Sequence, residues 1–259
     1  MLQKNVWEDY IKPAKIFGNL YFIGVRAVCT HLIDTGDGLI IIDPGYYESL
    51  YLIINNIWEL GFKPKDIKYI VITHAHYDHM DSVADLVAMT GAKTCIARAD
   101  LPLLTGEDYH YPIRPFTPDV LLEDGDIISL GNTNIRCVAT PGHTDGTMSF
   151  FFDVTDGENT YRAGIFGGAG TNTLVHSFLE KYNRSPVCRQ EMLDSLLKMK
   201  KEKVELLLGN HLPNNHTEEK LAVLETAKVN PFIENSQSEW EAFLEERLKK
   251  VRKIIDENL

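Results

Sequence analysis

The stretch "THAHYDHMDS", residues 73–82, follows a solid apolar run and holds His74, His76 and His79 together with Asp78. Residues two apart in an extended segment point to the same side, so His74 and His76 can offer their imidazoles to one metal ion. Asp78 and His79 can turn toward a second ion. Imidazole and carboxylate ligands suit Zn²⁺, which in catalytic sites keeps one position open for water. A polar loop with Asp78 as helix N-cap is the competing interpretation, but the dense spacing favours a metal site.

Further ligands have to come from other segments, and two histidines follow apolar strands in the same way. His143 lies in a Pro-Gly turn within "CVATPGHTDGTMSF" (137–150), and His211 follows the strand in "VELLLGNHLPNN" (204–215). A lone histidine at a turn is usually solvated, yet both repeat the strand-end placement of the first motif. We therefore predict that both are ligands. His216 is the rival of His211, although it resembles the start of a helix at "HTEE".

Composition limits the kinds of protein that this chain can be. Its 259 residues, 44% hydrophobic and 24% charged, are typical of a globular protein with one large domain or two small ones. A net charge of −11 argues against nucleic acid as the main partner. No apolar run approaches the roughly 20 residues that span a bilayer, and the first residues show no secretion signal. These features predict a cytoplasmic protein without membrane contact.

The order of strands and helices predicts an α/β fold. Strands are expected at 19–25, 27–35, 38–43, 67–73 and 92–98, with helices at Leu50–Leu60 and from about Asp78 to Thr90, ended by Gly91. Strands return from Leu121, in "DIISL", "NIRCVAT", "GTMSFFFDV" and "TYRAGIF". A helical region, the strand "VELLLG" and the segment "HTEEKLAVLETA" follow. This order suggests two similar halves within one domain, 1–259. The four cysteines are expected to be buried and reduced.

Two other segments carry predictions. Residues 100–120 contain four prolines and several aromatic residues, which predicts a long loop over the site. In that loop Tyr109, His110 and Tyr111, and later His176, are more readily explained as solvent-facing residues than as substrate contacts. The end of the chain, 235–258, predicts an amphipathic helix. Its apolar stripe would pack on the body or permit a homodimer; it comprises Trp240, Phe243, Leu244, Leu248, Val251 and Ile255.

The chain resembles the metallo-β-lactamase-fold hydrolases over about residues 17–225. The motifs that carry the resemblance are "THAHYDH", "ATPGHTDG", "LIDTGDGLIIIDPG", "LEDGDIISLG" and "GNH". The resemblance implies a four-layer αβ/βα sandwich, here with an extra C-terminal helix, and a site along one sheet edge. It also implies two zinc ions. The first would be held by His74, His76 and His143, and the second by Asp78, His79 and His211.

One departure from the family narrows the implied activity. Lactonases, glyoxalase II enzymes and phosphodiesterases of this fold carry an aspartate between the metals. The corresponding stretch here, "RAGIFGGAGTN" (162–172), has Phe166, Gly167 and Gly168 in that neighbourhood. Three histidines on one metal and Asp-His-His on the other resemble subclass B3 of the metallo-β-lactamases. Without an aspartate between the metals, the second zinc site can also be weaker than the first.

The resemblance implies a hydrolase in which a metal-bound hydroxide attacks the carbonyl of a small molecule such as a cyclic amide, including a β-lactam. Asp78 would orient the hydroxide, and Tyr77 would donate to an oxyanion or only pack. Thr171 and Asn172 would contact a substrate carboxylate. Asp43 would accept the free N–H of a ligand histidine, or serve only as a turn residue before a proline.

Three alternatives remain open at this stage. A lactone or thioester hydrolase of the same superfamily predicts a carboxylate between the metals. An oxidoreductase of the persulfide dioxygenase kind predicts one iron instead of two zinc ions. A non-catalytic relative is disfavoured because such a protein would be expected to lose some of the ligands.

Overall fold

The computed structural model describes residues 5–105 and 113–259. Its strands are β1 (Ala14–Phe17), β2 (Leu20–Phe22), β3 (His31–Asp34), β4 (Leu39–Ile42), β5 (Ile67–Val71), β6 (Lys93–Ala97), β7 (Val120–Leu122), β8 (Ile127–Leu130), β9 (Thr133–Ala139), β10 (Met148–Thr155), β11 (Thr160–Ile165) and β12 (Leu206–Leu208). All strands expected from the sequence are present, and β1 and β7 are additions.

The α-helices are α1 (Leu50–Glu59), α2 (Tyr77–Met80), α3 (Val83–Thr90), α4 (His176–Lys181), α5 (Val187–Met199), α6 (Thr217–Val223) and α7 (Ser236–Asp256). Short 3₁₀ helices occur at Val6–Asp9, Tyr47–Ser49, Pro64–Asp66, Arg98–Thr105, Asn172–Leu174 and Leu212–Asn214. Within the described part of the chain, no helix has the length and apolar character that crossing a membrane requires.

The strands form two sheets that follow the two halves of the chain. The first sheet has the order β1-β2-β3-β4-β5-β6-β7, and the second has the order β12-β11-β10-β9-β8. Strands β4 to β7 are parallel, as are β11 and β12. Because the carboxyl ends of parallel strands meet at one edge, residues that follow β4 and β5, or β11 and β12, come close together.

Alternating side chains place the two sheets face to face. Ile40 of β4 and Phe150 of β10 point into a shared core between the sheets, since successive residues of a strand face opposite sides. Ile41 points the other way, against α1 and α3, and Phe151 packs against α5 and α7. The result is the predicted layering of helix, sheet, sheet and helix, which confirms the predicted αβ/βα sandwich.

Helix α7 covers the outer face of the second sheet. Trp240 and Leu244 are fully buried against α5 and Phe151. At the end of the stripe Ile254 is buried and Ile255 is only partly buried, a shift of one residue from the predicted set. The stripe therefore packs on the body of the same chain. The homodimer stays a prediction from the sequence, and this face does not support it.

Two sequence expectations need correction. The single helix expected from Asp78 to Thr90 is divided into α2 and α3, because the turn at Gly45 accepts the Ser82 N–H at 3.1 Å and donates to the His79 carbonyl at 3.3 Å. Gly91 ends α3 in the left-handed conformation, as expected.

The range 100–120 is also not one irregular loop, since it begins inside the 3₁₀ helix Arg98–Thr105. Tyr109, His110 and Tyr111 lie outside the described residues. Further along, Ile113 and Phe116 pack against the core between the first sheet and its helices. All four cysteines are buried and free, as the sequence predicts.

Candidate metal centre

Three histidines converge where β5 ends and where β9 turns into β10. The backbone N–H of Met148 donates to the Thr73 carbonyl at 2.8 Å, which joins these two strand ends across the sheets. The ring of His76 lies 4.7 Å from that of His74 and 4.5 Å from that of His143, centroid to centroid. One nitrogen of each ring lies within 4.8 Å of the others. We call these three residues the first group.

Asp78, His79 and His211 converge beside the first group, and we call them the second group. Oδ2 of Asp78 lies 3.6 Å from Nε2 of His79 and 3.6 Å from Nε2 of His211. The His79 ring is only 4.1 Å from the His74 ring, so the two groups are neighbours. His216 is in neither group; it caps the start of α6 in a left-handed conformation with φ +57°.

Hydrogen bonds at Nδ1 orient the imidazoles. His79 Nδ1 lies 2.9 Å from Asp43 Oδ2, His143 Nδ1 2.8 Å from the Gly170 carbonyl, and His211 Nδ1 3.0 Å from the Ala27 carbonyl. Each partner oxygen can only accept, so Nδ1 carries the proton and donates in all three cases. The lone pair therefore lies on Nε2, the atom that points into the centre.

Asp43 reaches both groups. Its Oδ2 accepts the Thr73 hydroxyl at 2.7 Å, and its Oδ1 accepts the Thr73 N–H at 2.8 Å. Because the Thr73 hydroxyl donates to Asp43, its oxygen accepts from Nδ1 of His74 at 3.0 Å. The hydrogen bond expected between Asp43 and a ligand histidine is thus present at His79, and a relay through Thr73 adds His74. Asp43 has φ +52°, a conformation that is uncommon outside glycine.

The donor atoms fit a zinc ion. Nε2 of His74 and Nε2 of His79 are buried and have no hydrogen-bond partner among the described residues. Leaving a buried polar atom unpaired costs about 1–3 kcal/mol, so two such atoms side by side are difficult to explain by packing. Three imidazoles in one group, and two imidazoles with a carboxylate in the other, are donor sets that zinc accepts.

Electrostatics distinguish the members of the centre. Burial holds the pKa values of His74 and His76 well below the usual range and lowers that of His143 to about 3. Burial also lowers the pKa of His79, but Asp78 and Asp43 outweigh it and leave that pKa raised. Burial would raise the pKa of Asp78, yet His79 and His211 bring it below its usual range.

The two groups form the floor of a cleft of about 260 Å³. Of the residues predicted to act on substrate, Tyr77 and Asn172 line it, whereas Thr171 is not among its lining residues. The described part of 100–120 does not line it either. His176 is exposed and pairs with Glu180 at 3.0 Å. Sequence reasoning missed several wall residues because nothing local marks them: Ala169, Gly170, Thr173, Phe178 and Asn210.

The glycine run after β11 lies against His143. A Cβ atom built on Gly168 would be 2.8 Å from Cβ of His143 and 2.9 Å from its Cδ2. Such contacts would force the imidazole or the glycine backbone to move. This position therefore accommodates no side chain, and a carboxylate between the groups cannot come from Gly168 without rearrangement.

Comparisons with known proteins agree with this geometry. The family model of the metallo-beta-lactamase superfamily matches residues 23–156. BJP-1, a subclass B3 metallo-β-lactamase of Bradyrhizobium japonicum, has a TM-score of 0.88 at 28% identity, covering 97% of this chain and 96% of its own. The metallo-β-lactamase GOB-18 from Elizabethkingia meningoseptica has a TM-score of 0.85 at 31% identity, with coverages of 97% and 94%.

Among curated proteins, "Probable polyketide biosynthesis zinc-dependent hydrolase PksB" of Bacillus subtilis (strain 168) is 29% identical over 163 residues, which is 63% of this chain and 61% of that protein. The chain spans less than two thirds of the length of the first curated relatives that it matches. The similar solved structures, by contrast, match over almost their whole length and confirm both the predicted fold and the likeness to subclass B3.

Proposed function

This chain belongs to the metallo-β-lactamase superfamily, and we propose that it is a zinc-dependent hydrolase of the subclass B3 kind, acting on a cyclic amide or a similar carbonyl bond of a small molecule. The observation that carries this proposal is the pair of adjacent donor groups at the floor of one cleft. The names of BJP-1 and of the zinc-dependent hydrolase PksB support it.

We propose two zinc ions as cofactors, one in each group. When bound, zinc supplies Lewis-acid polarisation of a carbonyl and makes water a nucleophile near neutral pH. The ligands of the first ion would be the first group (His74, His76 and His143), and those of the second ion the second group (Asp78, His79 and His211). The second ion is expected to bind more weakly.

Asp78 is the proposed catalytic carboxylate. Its lowered pKa keeps it ionised at neutral pH. Oδ2 faces Nε2 of both His79 and His211 and would be the ligand atom, so we propose that the second carboxylate oxygen accepts a hydrogen bond from the attacking water and orients it toward the carbonyl. A proton taken from water by that oxygen can then pass to the leaving group, as general acid–base catalysis requires.

The walls of the cleft would bind the rest of the substrate. Tyr77 lies in the first turn of α2, with its ring 5.4 Å from that of Tyr46 in an edge-to-face contact, and we propose that its hydroxyl donates to the developing oxyanion. Asn172 offers an amide donor to a substrate carboxylate. We propose no substrate contact for the adjacent Thr171, which does not line the cleft. Phe178 supplies an apolar wall.

The alternatives are less well supported. A lactone or thioester hydrolase with a carboxylate between the metals would need an aspartate in the stretch 162–172, which contains none. A persulfide dioxygenase would bind a single iron ion and would not need the second donor group, which is complete here. The cytoplasmic location and the absence of a nucleic-acid partner remain predictions from the sequence.

The test is metal analysis combined with turnover of nitrocefin, a chromogenic β-lactam. We expect two zinc ions per chain and turnover that a chelator abolishes and added zinc restores. The matched control is His176→Ala, which removes an exposed histidine outside the centre and should change neither measurement. One bound iron, or the absence of zinc-dependent turnover across a panel of cyclic amides, would contradict the proposal.

A further inference from the structure

Asp100 is a fully buried carboxylate that the proposed mechanism does not use. It lies in the first turn of the 3₁₀ helix that follows β6. Its Oδ2 accepts the backbone N–H of Ala75 at 2.7 Å and the hydroxyl of Thr144 at 2.9 Å. Its Oδ1 accepts the backbone N–H of Gly146 at 2.7 Å. Three donors from two distant segments thus meet on one side chain.

These donors belong to the two turns that carry the first group. Ala75 stands between His74 and His76, and Thr144 follows His143 directly. The carboxylate therefore spans the gap between the turn after β5 and the turn before β10. Hydrogen bonds to an ionised acceptor are roughly twice as strong as neutral ones, so this bridge opposes any separation of the two turns.

The approach of the second turn to Asp100 is unusually close. A Cβ atom built on Gly146 would lie 2.6 Å from Cγ and 2.6 Å from the backbone nitrogen of Asp100. Only glycine allows its N–H to reach the carboxylate at this distance. The donor of this contact therefore belongs to the backbone of the turn, and only the acceptor is a side chain.

Burial of this carboxylate is costly. None of the ion pairs among the described residues includes Asp100, so hydrogen bonds alone compensate for its lost hydration. Burial raises the pKa of Asp100 to about 6, against the opposing effect of its three hydrogen bonds. A neutral side chain of similar shape would avoid this cost, which suggests that the bridge serves the site.

We propose that Asp100 is a positioning residue whose bridge between the two turns sets the distance from His74 and His76 to His143, and with it the zinc affinity of the first group. This inference rests on the proposed function, because it concerns the zinc that the first group would hold. Asp100 touches neither the metal nor the substrate and acts only through the backbone of the two turns.

The experiment measures the zinc affinities of the folded protein by competition with a chromophoric chelator. In Asp100→Asn the amide can replace only part of the acceptor set, and its NH₂ would face a donor. We expect the affinity of the first group to fall about 10- to 100-fold, the usual effect of losing a hydrogen-bond partner behind a metal site. The affinity of the second group should change much less. The zinc affinity of the first group is identified as the affinity that remains in the variant His211→Ala.

Asp119→Asn is the control; Asp119 also accepts two hydrogen bonds within the first half of the chain, but it is exposed. Asp119 Oδ2 accepts the N–H and the hydroxyl of Thr94, at 2.8 and 3.0 Å, in the same sheet but away from the ligands. It should lower the midpoint of thermal unfolding and leave both zinc affinities unchanged. An equal loss of zinc affinity in Asp119→Asn would assign the effect to general stability and overturn the inference.

Two further outcomes separate the proposals. If the wild type binds no zinc, the proposed function fails and this inference fails with it. If the wild type binds zinc and Asp100→Asn binds it equally well, only this inference is overturned. Should Asp100→Asn not fold, Thr144→Val removes one of the three hydrogen bonds, and the same selective loss at the first group is expected on a smaller scale.

Discussion

The two donor groups are neighbours, yet they are built differently. The first group consists of three imidazoles, and two of them, His74 and His143, are at most 7% exposed. The second group mixes a carboxylate with two imidazoles, and its His211 side chain is 38% exposed. The first group is therefore the more enclosed set and consists of imidazoles alone, and the second is more exposed at Asp78 and His211 and includes a carboxylate, although its His79 is fully buried.

The difference suggests a division of roles between the groups. Neutral imidazoles whose pKa values are held low by burial have no proton to lose when a cation binds. In the second group Asp78 supplies the negative charge, and a single hydrogen bond to the Ala27 carbonyl orients His211. We infer that the first ion is held more firmly, and that the second ion exchanges more readily.

The largest expected effect comes from removing one ligand from each group in turn. His76→Ala should lower the zinc affinity of the first group more than about a hundredfold, because even a partner behind a ligand is typically worth 10- to 100-fold. His211→Ala should lose only the second ion and retain one zinc per chain. Zinc content after dialysis against a weak chelator measures both. Loss of both ions in His211→Ala would contradict the proposed division of roles between the two groups.

An intermediate effect is expected from the residues behind the ligands. Asp43→Asn should weaken both groups about 10- to 100-fold, since Asp43 accepts from His79 directly and from His74 through Thr73. Asparagine tolerates the left-handed backbone of this position, so the turn itself should survive.

Thr73→Val is a second variant, which is expected to weaken only one of the two groups. It removes the hydroxyl relay to His74 and leaves the contact between Asp43 and His79, so only the first group should weaken, by about tenfold. The same chelator competition, run on both variants, provides the measurement. Equal weakening of the two groups in Thr73→Val would show that they are not anchored separately.

The smallest effect is expected at His216, the sequence rival of His211. His216→Asn keeps a residue that accepts the left-handed conformation at the start of α6. Two zinc ions per chain should remain, and the free energy of unfolding should change by no more than about 0.5 kcal/mol, as is usual for exposed positions. A lost ion would mean that the second group has been assigned to the wrong histidine.

Much of the architecture could be predicted from the sequence. Apolar runs with turn residues between them predict the strands, and Gly91 predicts the end of α3. The helix expected from Asp78 to Thr90 was wrong as a single element, because hydrogen bonds from the distant turn at Gly45 divide it. Periodicity describes only neighbours along the chain, so it contains no information about such a contact.

The same limit separates the features of the site that the sequence predicts from those that only the structure shows. By itself, the sequence determined the dense motif at 73–82 and the strand-end histidines, since ligand spacing on an extended segment is a local property. Only the tertiary structure decided which residues stand behind them: the bridge at Asp100, the relay through Thr73 and the close approach of Gly168 to His143. These contacts depend on how the two sheets pack face to face, and such packing joins positions that no local pattern connects.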